Sequence, residues 1–98
     1  MAREKRKFVF RYEIKGTSDK AETFSILHNG VQVTSRTIGV EITGGSGTAA
    51  FIYGDGRKTE EIVIDTGFPL EVPIAVRAVQ IRPENEGEVI DFAIIFYG

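Results

Sequence analysis

The residues able to do chemistry are few, and their spacing assembles none of the known catalytic or metal centres. The chain of 98 residues holds one His, no Cys and no Trp. His28 would have to serve any Ser-His-Asp arrangement. It stands beside the tight-turn pair Asn29-Gly30, and no Gly-x-Ser-x-Gly elbow accompanies it, since Gly45-Ser46-Gly47 has the wrong spacing. Zinc takes three or four His, Cys or carboxylate ligands, and the chain supplies too few around His28. Glycoside hydrolysis needs two carboxylates across one bond, but the adjacent Glu60 and Glu61 point to opposite faces of a strand. Glu84, Glu86 and Glu88 with Asp91 offer oxygen ligands without the Asp-x-Asp-x-Asp-Gly spacing of a calcium loop. They read as a solvated acidic turn. Gly44-Gly45-Ser46-Gly47-Thr48 lacks the Lys and the following helix of a phosphate cradle, and reads as a mobile hairpin loop. The expectation is a non-enzymatic chain with no catalytic, cofactor or metal residues.

Binding is the other chemistry to weigh. Loops at the end of a β-domain commonly carry ligand contacts. Here the candidates are Gly45, Ser46, Tyr53, Asp55, Arg57 and Phe68, from loops 43–48, 54–57 and 66–69 taken to share one end. A carbohydrate or other small ligand would stack on an exposed Tyr53 or Phe68. Tyr53 and Tyr97 are expected on accessible faces, Tyr12 in the core. Charge is uneven. Residues 1–15 carry six basic side chains against two acidic, and the rest carry six basic against twelve acidic. Arg3, Lys5, Arg6 and Lys7 form a short basic arm, residues 1–7, suited to a weak polyanion contact or to the acidic surface of a neighbouring copy. The first strand keeps its bases and aromatics on opposite faces, which disfavours an aromatic stacking platform for nucleic acid.

These residues sit on strands. From Phe8 to Tyr97, apolar residues recur mostly at every second position between Gly, Asn-Gly and Asp-Gly breaks, the pattern of a sheet with one buried face. Lys7–Lys15 alternates, so the N-terminus reads as a strand and not a signal peptide. No apolar run reaches the length of a membrane helix. Residues 23–28 and 31–35 flank Asn29-Gly30 as a hairpin. A helix competes there, with Asp19 and Glu22 as a capping box and Ala21, Phe24 and Leu27/His28 on one face. Strands are expected at 37–43, 48–53 and 58–65, the last two around the turn Gly54-Asp55-Gly56-Arg57. Leu70, Val72, Ile74, Val76 and Ala78 share a face, then the phase slips to Val79 and Ile81, as at a β-bulge, and Pro73 demands an edge or bulge.

The last strand, Glu88–Tyr97, is apolar on both sides. Ile90, Phe92, Ile94 and Phe96 form one face; Val89, Ala93, Ile95 and Tyr97 leave only Asp91 polar on the other. Asp91 is therefore expected in a buried ion pair with an Arg. The second face is expected to be covered either by a loop or by another subunit; on the second reading Val89, Asp91, Ala93, Ile95 and Tyr97 are the candidate oligomer interface of a dimer or trimer. About eight strands at 8–12-residue spacing imply an all-β, antiparallel two-sheet sandwich over residues 8–98, jelly-roll-like in preference to immunoglobulin-like. A basic arm ahead of such a sandwich resembles, in architecture alone, small viral coat and other self-assembling jelly-roll proteins. That resemblance implies a structural, self-associating role; the alternative is a ligand-binding module.

Overall fold

The structure, a computed structural model, describes residues 11–28 and 30–98. The described residues form ten strands: β1 (Arg11–Ser18), β2 (Glu22–Ser25), β3 (Leu27–His28), β4 (Val31–Gln32), β5 (Thr37–Gly44), β6 (Gly47–Tyr53), β7 (Ile62–Ile64), β8 (Leu70–Val72), β9 (Val76–Pro83) and β10 (Ile90–Tyr97). They form two antiparallel four-stranded sheets, β1-β10-β5-β8 (sheet A) and β2-β9-β6-β7 (sheet B), plus the two-stranded ribbon β3-β4. The pairings are nested. β1 pairs with β10, β2 with β9, β5 with β8 and β6 with β7, and successive pairs alternate between the sheets.

Alternation decides which side chains meet between the sheets. Ile38, Val40 and Ile42 of β5, Val79 and Ile81 of β9, and Ile90, Ile94 and Phe96 of β10 are almost fully buried, and Phe51 of β6 joins them. Removing such a side chain from water stabilises by roughly 1.5–3 kcal/mol. Phe24 packs on Phe92 with ring centroids 5.1 Å apart. That contact lies beside Gly16, where an added Cβ would come 3.4 Å from the Phe92 ring. Tyr12 has the core phase but is exposed, because β1 is an edge strand.

Several local expectations change. The first strand runs on to Ser18, since Thr17 and Ser18 still pair with Asp91 and Ile90; Lys7 to Phe10 lie outside the described residues. Segment 19–28 is extended, not helical. Gly30 has the positive φ of 80° that its turn requires, but the hairpin is short. Leu27 pairs with Gln32 and His28 with Val31, while β2 joins β9 instead. The expected strand from 70 onward is two strands in different sheets. Pro73 lacks a donor, and the Ile74 N–H closes a three-residue turn around it onto Val72 O at 3.0 Å. The phase slip has its bulge at Arg77, which the β6–β9 ladder skips between the Ile52–Ala78 and Tyr53–Val76 pairs. The glycine run links β5 of sheet A to β6 of sheet B and is therefore not a hairpin turn. Gly47 is buried in β6, where a Cβ would meet Arg82 O at 3.2 Å.

Strand direction places the connections alternately at two poles. The β1–β2, β5–β6, β7–β8 and β9–β10 connections gather at one, the loop pole. The segment around β3-β4, the 54–57 turn, residues 73–75, the start of β1 and the end of β10 lie at the other, the hairpin pole.

Candidate functional site

The outer face of sheet A carries the most site-like feature. Register aligns Glu13, Ile95 and Gly39 across β1, β10 and β5, with Glu71 of β8 beyond; the next row is Lys15, Ala93 and Glu41. Gly39 adds no side chain, and an added Cβ there would find only Leu70 O, at 4.0 Å. The result is a shallow open groove of about 200 Å³. Ala93 and Ile95 form its floor, Glu13, Glu41 and Glu71 its acidic wall, and Lys15 and Tyr97 also line it. Glu13 is held between Arg11 and Lys15, each at 3.7 Å. The Arg11 guanidinium lies 5.9 Å from the centre of the Tyr97 ring.

This divides the expected interface. Ala93, Ile95 and Tyr97 are half-buried and share the groove. Asp91 lies on the same face but is exposed, not buried, and among the described residues it makes no ion pair. The reason is room: Asp91 pairs with Gly44, and its carboxylate fills the place where a Cβ on Gly44 would stand, 2.6 Å away. Val89 precedes β10 and belongs to the loop pole. Arg3, Lys5, Arg6 and Lys7 lie outside the described residues.

The candidate ligand loops do not share one end. Gly45, Ser46 and Phe68 stand at the loop pole, where the Thr66 hydroxyl donates to Gly45 O and the Gly67 N–H donates to Ile42 O at 2.9 Å. Tyr53, Asp55 and Arg57 stand at the hairpin pole, separated from the first group by the length of β6. Tyr53 is half-buried, and the Arg57 guanidinium lies 5.3 Å from its ring centre, so one ring face is already occupied. The Arg57 backbone N–H, then its guanidinium 2.7 Å from Oδ2, hold the Asp55 carboxyl below its ordinary pKa. Phe68 remains as an exposed ring.

Most of sheet B's outer face is covered by its own polar side chains, with Val63 exposed at the β7 edge. Arg82 forms a two-pronged ion pair with Glu61, and the buried Thr48 hydroxyl donates to the same carboxylate at 2.9 Å. Arg82 first and Thr48 second lower the Glu61 pKa, and Glu61 in turn raises that of Arg82. Lys58 reaches Gln80 at 3.0 Å. Alternation pointed to none of these partners, because residues 58–61 run beside β6 with only one isolated bridge, Lys58 to Ile52.

Among the described residues no group of three or more His, Asp or Glu side chains is placed to hold a metal ion. No helix among them is long and apolar enough to cross a membrane.

A two-sheet antiparallel β-protein is the class this geometry defines. No protein-family model matches the chain, and no curated protein does. Among solved structures it is similar to a protein of Bacillus endospore appendages, described as forming a novel family of disulfide-linked pili. The TM-score is 0.51 at 16% identity, over 99% of this chain and 95% of that one. At that identity the likeness concerns the fold.

Proposed function

We propose that this chain is a non-enzymatic structural subunit that associates with copies of itself. The observation that carries the proposal is the apolar strip of Ala93, Ile95 and Tyr97 in a groove on sheet A that no loop of the described chain covers. A second copy seated there would complete the burial of β10. The pilus protein of similar fold is compatible with such an assembly role. These 98 residues contain no Cys, so association through them is not by disulfide, unlike the linkage described for that protein. We read the nested strand order as a jelly roll, an eight-stranded fold to which β3-β4 is an insertion. A dimer or trimer is the expected state. Arg3, Lys5, Arg6 and Lys7 enter the proposal as contacts for a polyanion or for a neighbour's acidic surface.

Light scattering behind size-exclusion chromatography tests this. The wild-type chain should run as a multiple of 10.8 kDa. Ile95→Glu or Tyr97→Glu should reduce it to a single copy with an unchanged circular dichroism spectrum. Unchanged mass in both variants, or a wild-type single copy at every concentration, overturns the reading. The ligand-binding alternative has less support, because its loops lie at opposite poles.

A further inference from the structure

Besides Tyr12 on the β1 edge and Ile62 and Val63 on the β7 edge, two apolar spots are exposed among the described residues, and these two lie at opposite poles. At the loop pole, Phe68 is 72% and Val89 58% exposed. Val89 lies against the Gly45 turn, where an added Cβ would fall 2.7 Å from Val89 O, and the Thr66–Gly67 turn that leads to Phe68 is tied to the same turn by the Thr66 hydroxyl, which donates to Gly45 O. At the hairpin pole, Leu27 is 59% and Val31 63% exposed. Leu27 pairs with Gln32 and Val31 with His28, so the two apolar residues occupy opposite faces of the β3-β4 ribbon. No tilt of the ribbon against its own domain hides both.

The poles also differ in charge. The connections of the loop pole carry Asp19, Asp65, Glu84, Glu86 and Glu88 against Lys20. At the hairpin pole, Arg36, Arg57 and Lys58 of the connections, with Arg11 and Arg77 of the adjoining strand ends, stand against Asp55 and against Glu13, which pairs with Arg11. Like poles repel and unlike poles attract, each pair around an apolar contact. That is the pattern of a surface made for a second copy in one orientation.

We infer that copies of this chain stack pole to pole, the Leu27/Val31 ribbon of one against the Phe68/Val89 end of the next. The inference rests on the self-association reading and adds a second, separate contact to it. Because the two surfaces are different, the contact is heterologous. It extends into a row, where a contact of one patch with its own copy would close into a dimer. A closed contact through sheet A and an open one through the poles would together build a fibre.

Charge swapping tests it. Glu84→Lys/Glu86→Lys/Glu88→Lys makes both poles basic, and Arg36→Glu/Arg57→Glu/Lys58→Glu makes both acidic. At about 50 mM salt, sedimentation and negative-stain microscopy should show elongated assemblies for the wild type. Each variant alone should lose them and keep only the oligomer formed through sheet A. An equimolar mixture of the two variants should restore the rows. Raising salt to about 1 M, where the Debye length is about 3 Å, should shorten wild-type rows. Phe68→Ser and Leu27→Ser should shorten them at any salt. If both swaps and both Ser variants leave the assemblies unchanged, the pole contact is wrong while self-association stands. If the wild type shows an oligomer sensitive to Ile95→Glu but no rows, the pole contact is likewise wrong. If the wild type is a single copy throughout, both fall.

Discussion

The outer faces of the two sheets are finished in different ways. On sheet B, Glu61 takes hydrogen bonds from Arg82 and Thr48, and Lys58 reaches Gln80. The chain covers most of that face with its own side chains. On sheet A, the middle of the face is Gly39, Ala93 and Ile95, too small or too apolar to be closed by the charged residues around it. One face is covered over most of its width by paired polar side chains, with Val63 exposed at its edge; the middle of the other stays open. The difference teaches that an exposed surface is better judged by whether its polar groups answer one another than by its average hydropathy.

The largest effect that sharpens this comparison comes from adjacent residues of β10. Ile94→Ala, on the buried side, should lower unfolding free energy by about 2–5 kcal/mol. Ile95→Ala, on the open side, should cost under about 1 kcal/mol in a single copy. Urea unfolding at low protein concentration measures both. Equal losses would mean that the strip belongs to the core of one chain, and the contrast between the faces would break. A smaller effect is expected from Gly39→Val. There is room for the side chain, and β-branched residues favour strands by up to about 1 kcal/mol. Stability should hold or rise slightly while the groove floor fills, so the solution mass should drop. Unchanged mass would place the contact elsewhere than the groove.

The smallest effect concerns sheet B. The Glu61 carboxyl is held below its ordinary value by Arg82 and Thr48. A depressed folded-state pKa contributes stability above the unfolded value, and that contribution is lost as pH falls through the folded one. Glu61→Gln should therefore flatten the acid limb of stability slightly and leave the neutral solution mass alone, since exposed pairs are weak. A change in assembly on Glu61→Gln would show that sheet B's face is also a contact.

Alternation carried the faces of the strands but not their partners. Ile38, Val40 and Ile42 announce a buried side, yet nothing local says that β5 lies between β10 and β8. Nested pairing is decided by long-range packing, and local pattern is silent on it. Pro73 signalled a break, but that the break carries the chain from one sheet to the other depends on what each half packs against. Asp91 was misjudged because its neighbour across the ladder is a glycine that leaves it space beside water. The charged poles escaped for a related reason. Acidic and basic connections alternate along the chain, and only the strand directions sort them to opposite ends.

The first and last described strands lie side by side, with Arg11 opposite Tyr97 at the hairpin pole. Force applied between these two residues would peel β1 from β10 one pair at a time, the weakest way to load a ladder. Tension passing from pole to pole would instead run along all the strands and strain many hydrogen bonds together. Stacked in the proposed row, this domain would resist being stretched from pole to pole and would yield readily when drawn at Arg11 and Tyr97, so a fibre made of it would do best to leave those two points slack.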